Sequence, residues 1–370
     1  MISRHATRTF LADAISLQPA LPPLSFALYA GECLALLFLD DTENALQLLA
    51  DILAGHRRPT AGRLVVGEEE ITSRPSGARS LVVVGPRDGL FEHLSVRDNV
   101  AFPLRARRRP AQEITHRVEQ MLALLGLDKW AYRRPAALKP ADRIRVAVAR
   151  ALTTDPAVIV LEDIFSGLDS EARSGLHNRL SRLQRARNIS MLLLTRDRGD
   201  AVTGAHRIGV VAQGHLLQTG TASQLIERPA SARVAVAMAD ANVLVGMALD
   251  IEDDIVRARL ACGGEMEALA DADIEVNDVV DLCIRPNQIA PMMSRGALPD
   301  ETEGSLPATL TDIRNVGDLL TLRFRLADGT EVTVHRPPGS LPPGTAPGQT
   351  ALLAWRPSAA LAFSSEAKPG

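Results

Sequence analysis

Lysine is nearly missing from this chain. It occurs only at 129, 139 and 368, against 38 arginines in 370 residues, and none lies in the first 128. Any chemistry that needs a lysine in that stretch is excluded. An excess of one charge is missing too. The 41 basic and 44 acidic residues leave a formal charge of -3 and a pI of about 6.3, so no overall field favours a polyanion, and nucleic acid is not an expected partner. Cysteine is scarce, and Cys33, Cys262 and Cys283 are odd in number and far apart. They fit neither a disulfide framework nor a zinc spacing, no metal is expected of them, and a reducing compartment is. Long apolar runs are absent. The longest, Cys33 to Leu39, has strand length, against the roughly 18 residues of a membrane span. Residues 1–10 carry Arg4 and Arg8 but no signal-peptide core. The chain is therefore expected to be cytoplasmic and to reach a membrane only through a partner.

What is present is a core-forming composition, 46% hydrophobic and 23% charged, which excludes a disordered chain. Its length predicts two domains. Up to about residue 235, strand-like runs alternate with helical ones. Strands are predicted at Cys33–Leu39, Leu81–Val84, Val158–Leu161, Ile189–Leu194 and Ile208–Val211. Helices are predicted at Thr42–Ala54 with Gly55 as its stop, Ile114–Leu125 with Gly126, Arg143–Leu152 and Gly175–Ala186. A Gln213-Gly214 turn separates Ile208–Val211 from Leu216–Leu217. Such alternation implies an α/β fold with a largely parallel sheet covered on its faces. From 236 on the texture changes to short strands, Val256–Leu260, Val279–Ile284, Leu319–Leu326 and Glu331–His335, with Asp328-Gly329 as a hairpin signal. Residues 236–370 are read as an all-β, barrel-like domain with loops at Met292–Leu306 and Pro337–Gly348.

The order of landmarks resembles the ATP-binding subunits of ABC importers, nearest to the spermidine/putrescine and maltose type with its C-terminal TOBE domain. Gly31-Glu32, Ala54-Gly55, Pro59 to Gly62 and Ile71-Thr72 follow at family distance. Leu90 to Val100 is similar to the segment after the Q-loop, and Arg143–Leu152 to the helix after the signature. Ser166-Gly167-Leu168-Asp169 is similar to the D-loop, and Cys283 to Pro286 to a motif of the β-barrel. The resemblance implies an ABC-type nucleotide-binding-domain fold, a parallel core sheet with a helical subdomain, over 1–235, and an OB-like TOBE domain over 236–370. It implies permease docking through Leu90, Phe91 and His93. The family's cofactors are ATP and magnesium.

Every nucleotide motif departs from that pattern. A phosphate loop needs glycines, so that backbone N–H groups wrap the phosphates, and a lysine for the outer phosphates. Here no glycine lies between Gly31 and Gly55, and the loop reads Asp40-Asp41-Thr42-Glu43-Asn44. Its carboxylates occupy a helix N-terminus, each stabilising it by ~0.3–1 kcal/mol, and repel a triphosphate. The Q-loop glutamine position is Pro86, which has no side-chain oxygen for magnesium or water. The signature becomes Leu138-Lys139-Pro140-Ala141-Asp142, and Pro140 has no N–H for a γ-phosphate. The Walker B pair is reversed to Glu162-Asp163, which leaves the base one methylene short. The switch histidine is Arg196, which stays protonated. Each lost part costs on the order of 10²–10³-fold in rate, and five losses leave none.

No cofactor is therefore expected for this chain. The expectation is a non-catalytic subunit, peripheral on the cytoplasmic face of the inner membrane, docked on permease subunits beside an active ATPase subunit and serving a solute-binding protein indirectly. Two alternatives stand beside it. One is a working ATPase with Glu162 holding magnesium and Asp163 as base. The other is a regulatory module that senses a small ligand through the β-barrel.

Overall fold

The computed structural model describes residues 7–39, 44–293 and 304–365, which divide into two compact units between Ser223 and Gln224. In chain order the first unit contains β1 (Arg8–Ser16), β2 (Leu24–Tyr29), β3 (Cys33–Phe38), α1 (Ala45–Ala54), β4 (Ala61–Val66), β5 (Glu69–Glu70) and β6 (Leu81–Val84). Then come α2 (Val96–Ala106), α3 (Ala111–Leu125), α4 (Pro140–Leu152), β7 (Val158–Glu162), α5 (Ser170–Arg187), β8 (Ser190–Thr195), α6 (Arg198–Gly204), β9 (Arg207–Ala212) and β10 (His215–Gly220).

The core is a six-stranded sheet of order β10-β9-β3-β8-β7-β6, parallel from β9 through β6, with β10 added antiparallel at one edge. Every residue of β3, β7 and β8 is buried, as strands covered on both faces must be, and this is why they read as unbroken apolar runs. α1 buries Leu46, Leu49 and Leu53 among these strands. It stops at Gly55, whose φ of 81° only glycine takes without cost. There, Arg79 lies so close that a side chain at Gly55 would strike its guanidinium.

The expected strands and helices of this unit are all present. The helix expected from Arg143 begins three residues earlier, because proline is tolerated in the first turn of a helix, where its missing N–H has no partner to lose. The helix expected from Thr42 is described from Ala45 onward. Gln213 and Gly214 both have positive φ, and the strand after them extends to Gly220. An antiparallel sheet, β2-β1-β4-β5, was not anticipated. Its strands mix buried and exposed positions, and β4 shows only two buried ones. α2, α3 and α4 pack on one another as the helical subdomain.

α7 (Ala222–Glu227) spans the division. The second unit continues with α8 (Ala232–Ala239), β11 (Asn242–Glu252), β12 (Ile255–Leu260), β13 (Glu265–Ala270), β14 (Val279–Ile284) and β15 (Ala290–Met293). It ends with β16 (Ser305–Val316), β17 (Leu319–Arg325), β18 (Glu331–Arg336), β19 (Thr350–Ala354) and β20 (Ala360–Ser364). β11-β12-β13-β20-β14 close into a barrel, and β15-β19-β16-β17-β18 form a second sheet. Asn242, at the start of β11, ties the two together through Thr333 N–H at 2.7 Å and Thr333 O at 2.8 Å. The division precedes the expected boundary at 235/236 because α8 packs on β11 and β14. The hairpin at Asp328-Gly329 joins β17 to β18, and 337–348 contains no regular element. The loop expected over Met292–Leu306 is shorter at both ends. Met292 and Met293 pair in β15 and Ser305 opens β16, while 294–303 lie outside the described residues. All three cysteines are free. Burial, then the neighbouring Glu32, pushes the Cys33 thiol up to about 12.

Candidate functional site

The carboxyl end of the core sheet carries the residues expected at the nucleotide site. β3 ends at Phe38, and Asp40, Asp41, Thr42 and Glu43 lie outside the described residues. Asn44 is exposed in the left-handed region, and its side chain makes no cap bond to α1. A phosphate loop puts its lysine and hydroxyl at the start of the helix it enters. The first turn of α1 is Ala45-Leu46-Gln47-Leu48, with Ala45 and Leu46 buried in the core.

Glu162 ends β7 and is 3% exposed. Its carboxylate accepts from Arg87 Nη2 at 3.2 and 3.4 Å, and Arg87 Nη1 pairs with Asp51 of α1 at 2.8 Å. One guanidinium thus bridges the loop after β6, the end of β7 and the last turns of α1. Gly85 permits this, since a Cβ there would collide with the Glu162 carboxylate. Burial pushes the Glu162 carboxyl above its ordinary range, and Arg87 partly opposes that. Burial also acts to lower Arg87, but Glu162 and Asp51 outweigh it and hold the guanidinium above its usual value. Neighbouring Pro86 is exposed and contributes no oxygen. Asp163 follows in the left-handed region, φ 46°, and Arg196 Nη1 approaches its Oδ2 at 3.4 Å. Both carboxylates at the end of β7 therefore carry an arginine of the same chain. The pairing of Asp163 with Arg196 joins two expected site positions. Asp51 and Arg87 were not anticipated; the only sequence signal was a charge beside Pro86, directly after an apolar strand.

The counterpart of the signature opens α4. Lys139 is exposed, Leu138 is buried, Pro140 is the first helical residue with Ala141 next, and Asp142 is buried in an ion pair with Arg145. Ser166 and Gly167 are exposed in the turn before α5, with Leu168 half-buried. Asp169 caps α5 by accepting the Ala172 N–H at 2.8 Å. The α4 start and the α5 start face each other across a cleft of about 310 Å³, which Lys139, Asp142, Arg145, Asp169 and Arg179 line. This brings together the expected signature and D-loop residues. Arg173 of α5 reaches Asp197 at 2.8 Å, beside the switch position, and His177 stacks on Phe165 and contacts Asp200 at 2.9 Å.

The segment expected to dock is held by buried polar contacts. Asn99, 0% exposed, accepts the Phe91 N–H at 2.8 Å and donates to the Phe91 and Ser95 carbonyls at 3.0 Å each. Arg150 lies over the Phe91 ring at 5.3 Å, and Phe102 packs against Phe91 at 4.4 Å. Leu90 and Phe91 are half-buried, His93 is exposed, and Glu92 pairs with Arg143. Phe102, 42% exposed, was missed because it sits two residues beyond the matched segment. No cluster among the described residues has the make-up of a metal site, and no helix among them is long and apolar enough to cross a membrane.

A parallel sheet with a three-helix subdomain, followed by a closed barrel, defines the class: an ABC nucleotide-binding fold with a β-rich TOBE domain behind it. The ABC transporter family pattern matches residues 48–166 and the TOBE domain pattern residues 282–363. The fold is shared with cbiO1 of Clostridium perfringens, part of the ABC transporter complex cbiONQ, at a TM-score of 0.54 and 21% identity over 62% of this chain and 95% of that one. The spermidine/putrescine import ATP-binding protein PotA of Thermobifida fusca is 31% identical over 308 residues, 83% of this chain and 79% of that protein. PotA 1 of Pseudomonas aeruginosa is 33% identical over 79% of this chain and 78% of its own length. The chain belongs to the family of ATP-binding subunits of ABC importers.

Proposed function

We propose that this chain is a non-catalytic member of its family, which docks on a membrane permease from the cytoplasmic face and works beside an intact ATPase subunit. The observation that carries the reading is the arginine on each carboxylate at the end of β7, Arg87 on Glu162 and Arg196 on Asp163. A magnesium–triphosphate would have to displace Arg87 from a buried carboxylate, and the first turn of α1, Ala45-Leu46-Gln47-Leu48, gives the phosphates no cation in return. The described residues therefore do not fit the family's cofactor, and no hydrolytic step is assigned to them. The same pairings weigh against a working ATPase with Glu162 on magnesium and Asp163 as base.

Docking follows from the intact segment Leu90 to Val100. Its ordered backbone and its half-buried Leu90 and Phe91, with exposed Phe102 alongside, suit a partner helix laid in a groove. Two measurements test the proposal. Magnesium-ATP up to about 1 mM should leave the melting temperature of the full chain unchanged, since any binding to the folded state raises stability. Micromolar binding by calorimetry would overturn the non-catalytic reading. Leu90→Asp or Phe91→Asp should release the chain from permease-containing membranes without unfolding it, and variants that stay bound would overturn the docking assignment.

A further inference from the structure

Residues 85–94 lead into the segment proposed for docking and contain its first part, Leu90 to Leu94, and side chains of the first unit fasten them along their whole length. At the near end the Gly85 N–H donates to Asp88 Oδ2 at 3.0 Å, and the Asp88 N–H returns to the Gly85 carbonyl at 3.1 Å. From this tight loop Arg87 reaches out to Glu162 and Asp51. In the middle, Arg150 of α4 donates to the Asp88 and Gly89 carbonyls at 3.1 Å each. At the far end Asn99 accepts the Phe91 N–H and donates to the Phe91 carbonyl. A loop that reports a ligand must be held by groups which that ligand supplies or removes. This loop is held by two guanidiniums and an amide that belong to the chain.

We propose that Arg87 and Arg150 form a permanent lock, which keeps residues 85–94 in one conformation whether or not nucleotide is present. The inference rests on the docking reading only for the purpose of that conformation. The chain then presents a constant surface to the permease, and the nucleotide-dependent movement of the complex must come from its partner. Removing Arg87 leaves Glu162 buried and unpaired, which loosens the loop more than loss of an exposed pair does.

Amide hydrogen exchange on the full chain tests the lock without any permease, so its failure and the failure of docking are separate results. In the wild-type chain the Gly85, Asp88, Phe91 and Leu94 amides should exchange at the same rates with and without magnesium-ATP. In R150Q, and in the charge-balanced double variant R87Q/E162Q, these amides should exchange about tenfold faster through local opening. Amides of β16 and β17 in the second unit should keep their rates and serve as the internal reference. Nucleotide-dependent exchange at 85–94 in the wild-type chain would overturn the proposal. So would unchanged exchange there in both variants, or loss measured equally in the reference strands.

Discussion

Arg79 lies 6% exposed beneath α1 and donates to four backbone carbonyls: Ile52, Leu53, Thr72 and Arg74. Two of these are orphan groups of the helix end, so the side chain does the work of a C-cap from outside the helix. Burial lowers its pKa, and a charged group is kept there only because every carbonyl around it accepts. Arg79→Ala should therefore cost roughly 2–3 kcal/mol, since buried acceptors lose their donors together. Arg79→Lys should recover only part, because an ammonium cannot reproduce the fork of a guanidinium. Urea denaturation of both variants followed by fluorescence checks this, and a change under about 0.5 kcal/mol for Arg79→Ala would remove the capping role. The scarcity of lysine acquires a physical meaning here. Arg79, Arg87 and Arg150 each hold two or more acceptors at once, which a planar fork does well and a point charge does poorly.

At the scale of elements, two helices depend on aspartates that are held ionised. Ser95 caps α2 and also hydrogen-bonds Asp98; that bond, with Arg105 nearby, holds the Asp98 carboxyl below its ordinary range. Asp197 caps α6. Burial acts to raise it, but the hydrogen bond from Arg173 and the helix N–H groups outweigh this and lower it. Both carboxyls are depressed in the folded chain, so each contributes stability that is fully present above its unfolded pKa of about 3.9 and is lost as pH falls through the lower folded value. Glu162 has the opposite sign. Its raised carboxyl binds its proton more readily when folded, so its own contribution is present below the ordinary glutamate value of about 4.3 and is lost as pH rises from there through the higher folded value. Thermal unfolding between pH 5 and 3, a range taken from these reference values, should show a shallower loss of stability for Asp98→Asn than for the parent chain. An identical slope would mean that Asp98 is not held down in the folded state.

For the whole molecule, the proposal predicts an unequal assembly. In such a pair one nucleotide site combines this chain's 40–44 loop with the partner's signature, and it should be empty. The other combines the partner's phosphate loop with Leu138 to Asp142, where Pro140 starts the helix without an N–H to give and Asp142 is engaged by Arg145. It should hold nucleotide mainly through the partner and close poorly. The expected stoichiometry is at most one ATP per heteromeric dimer, measurable by native mass spectrometry of the purified complex. Two bound ATP molecules, or transport by a homodimer of this chain in liposomes, would refute it.

The parts whose signal is local were legible in the chain alone. Unbroken apolar runs named β3, β7 and β8, because a strand buried on both faces has no polar side to show. Glycine stops ended α1 and α3, because Gly55 and Gly126 take the left-handed conformation that closes a helix. Pro86, Pro140 and the lysine-free loop carry the expectation that the chain departs from the family's nucleotide motifs, since a missing donor or oxygen is a property of the residue and not of its surroundings. Only the tertiary structure decided what replaces them. Asp51, Arg87 and Glu162 are far apart in the chain, and nothing in their spacing announces that one guanidinium will meet both carboxylates. The strands of the β2-β1-β4-β5 sheet, half-exposed and interrupted by register shifts, were likewise illegible until their partners were in place. Period and composition record how a residue meets its neighbours in sequence. Ion pairs and sheet edges are settled by which distant segments the core brings within a few ångströms, and that information exists only once the chain has folded.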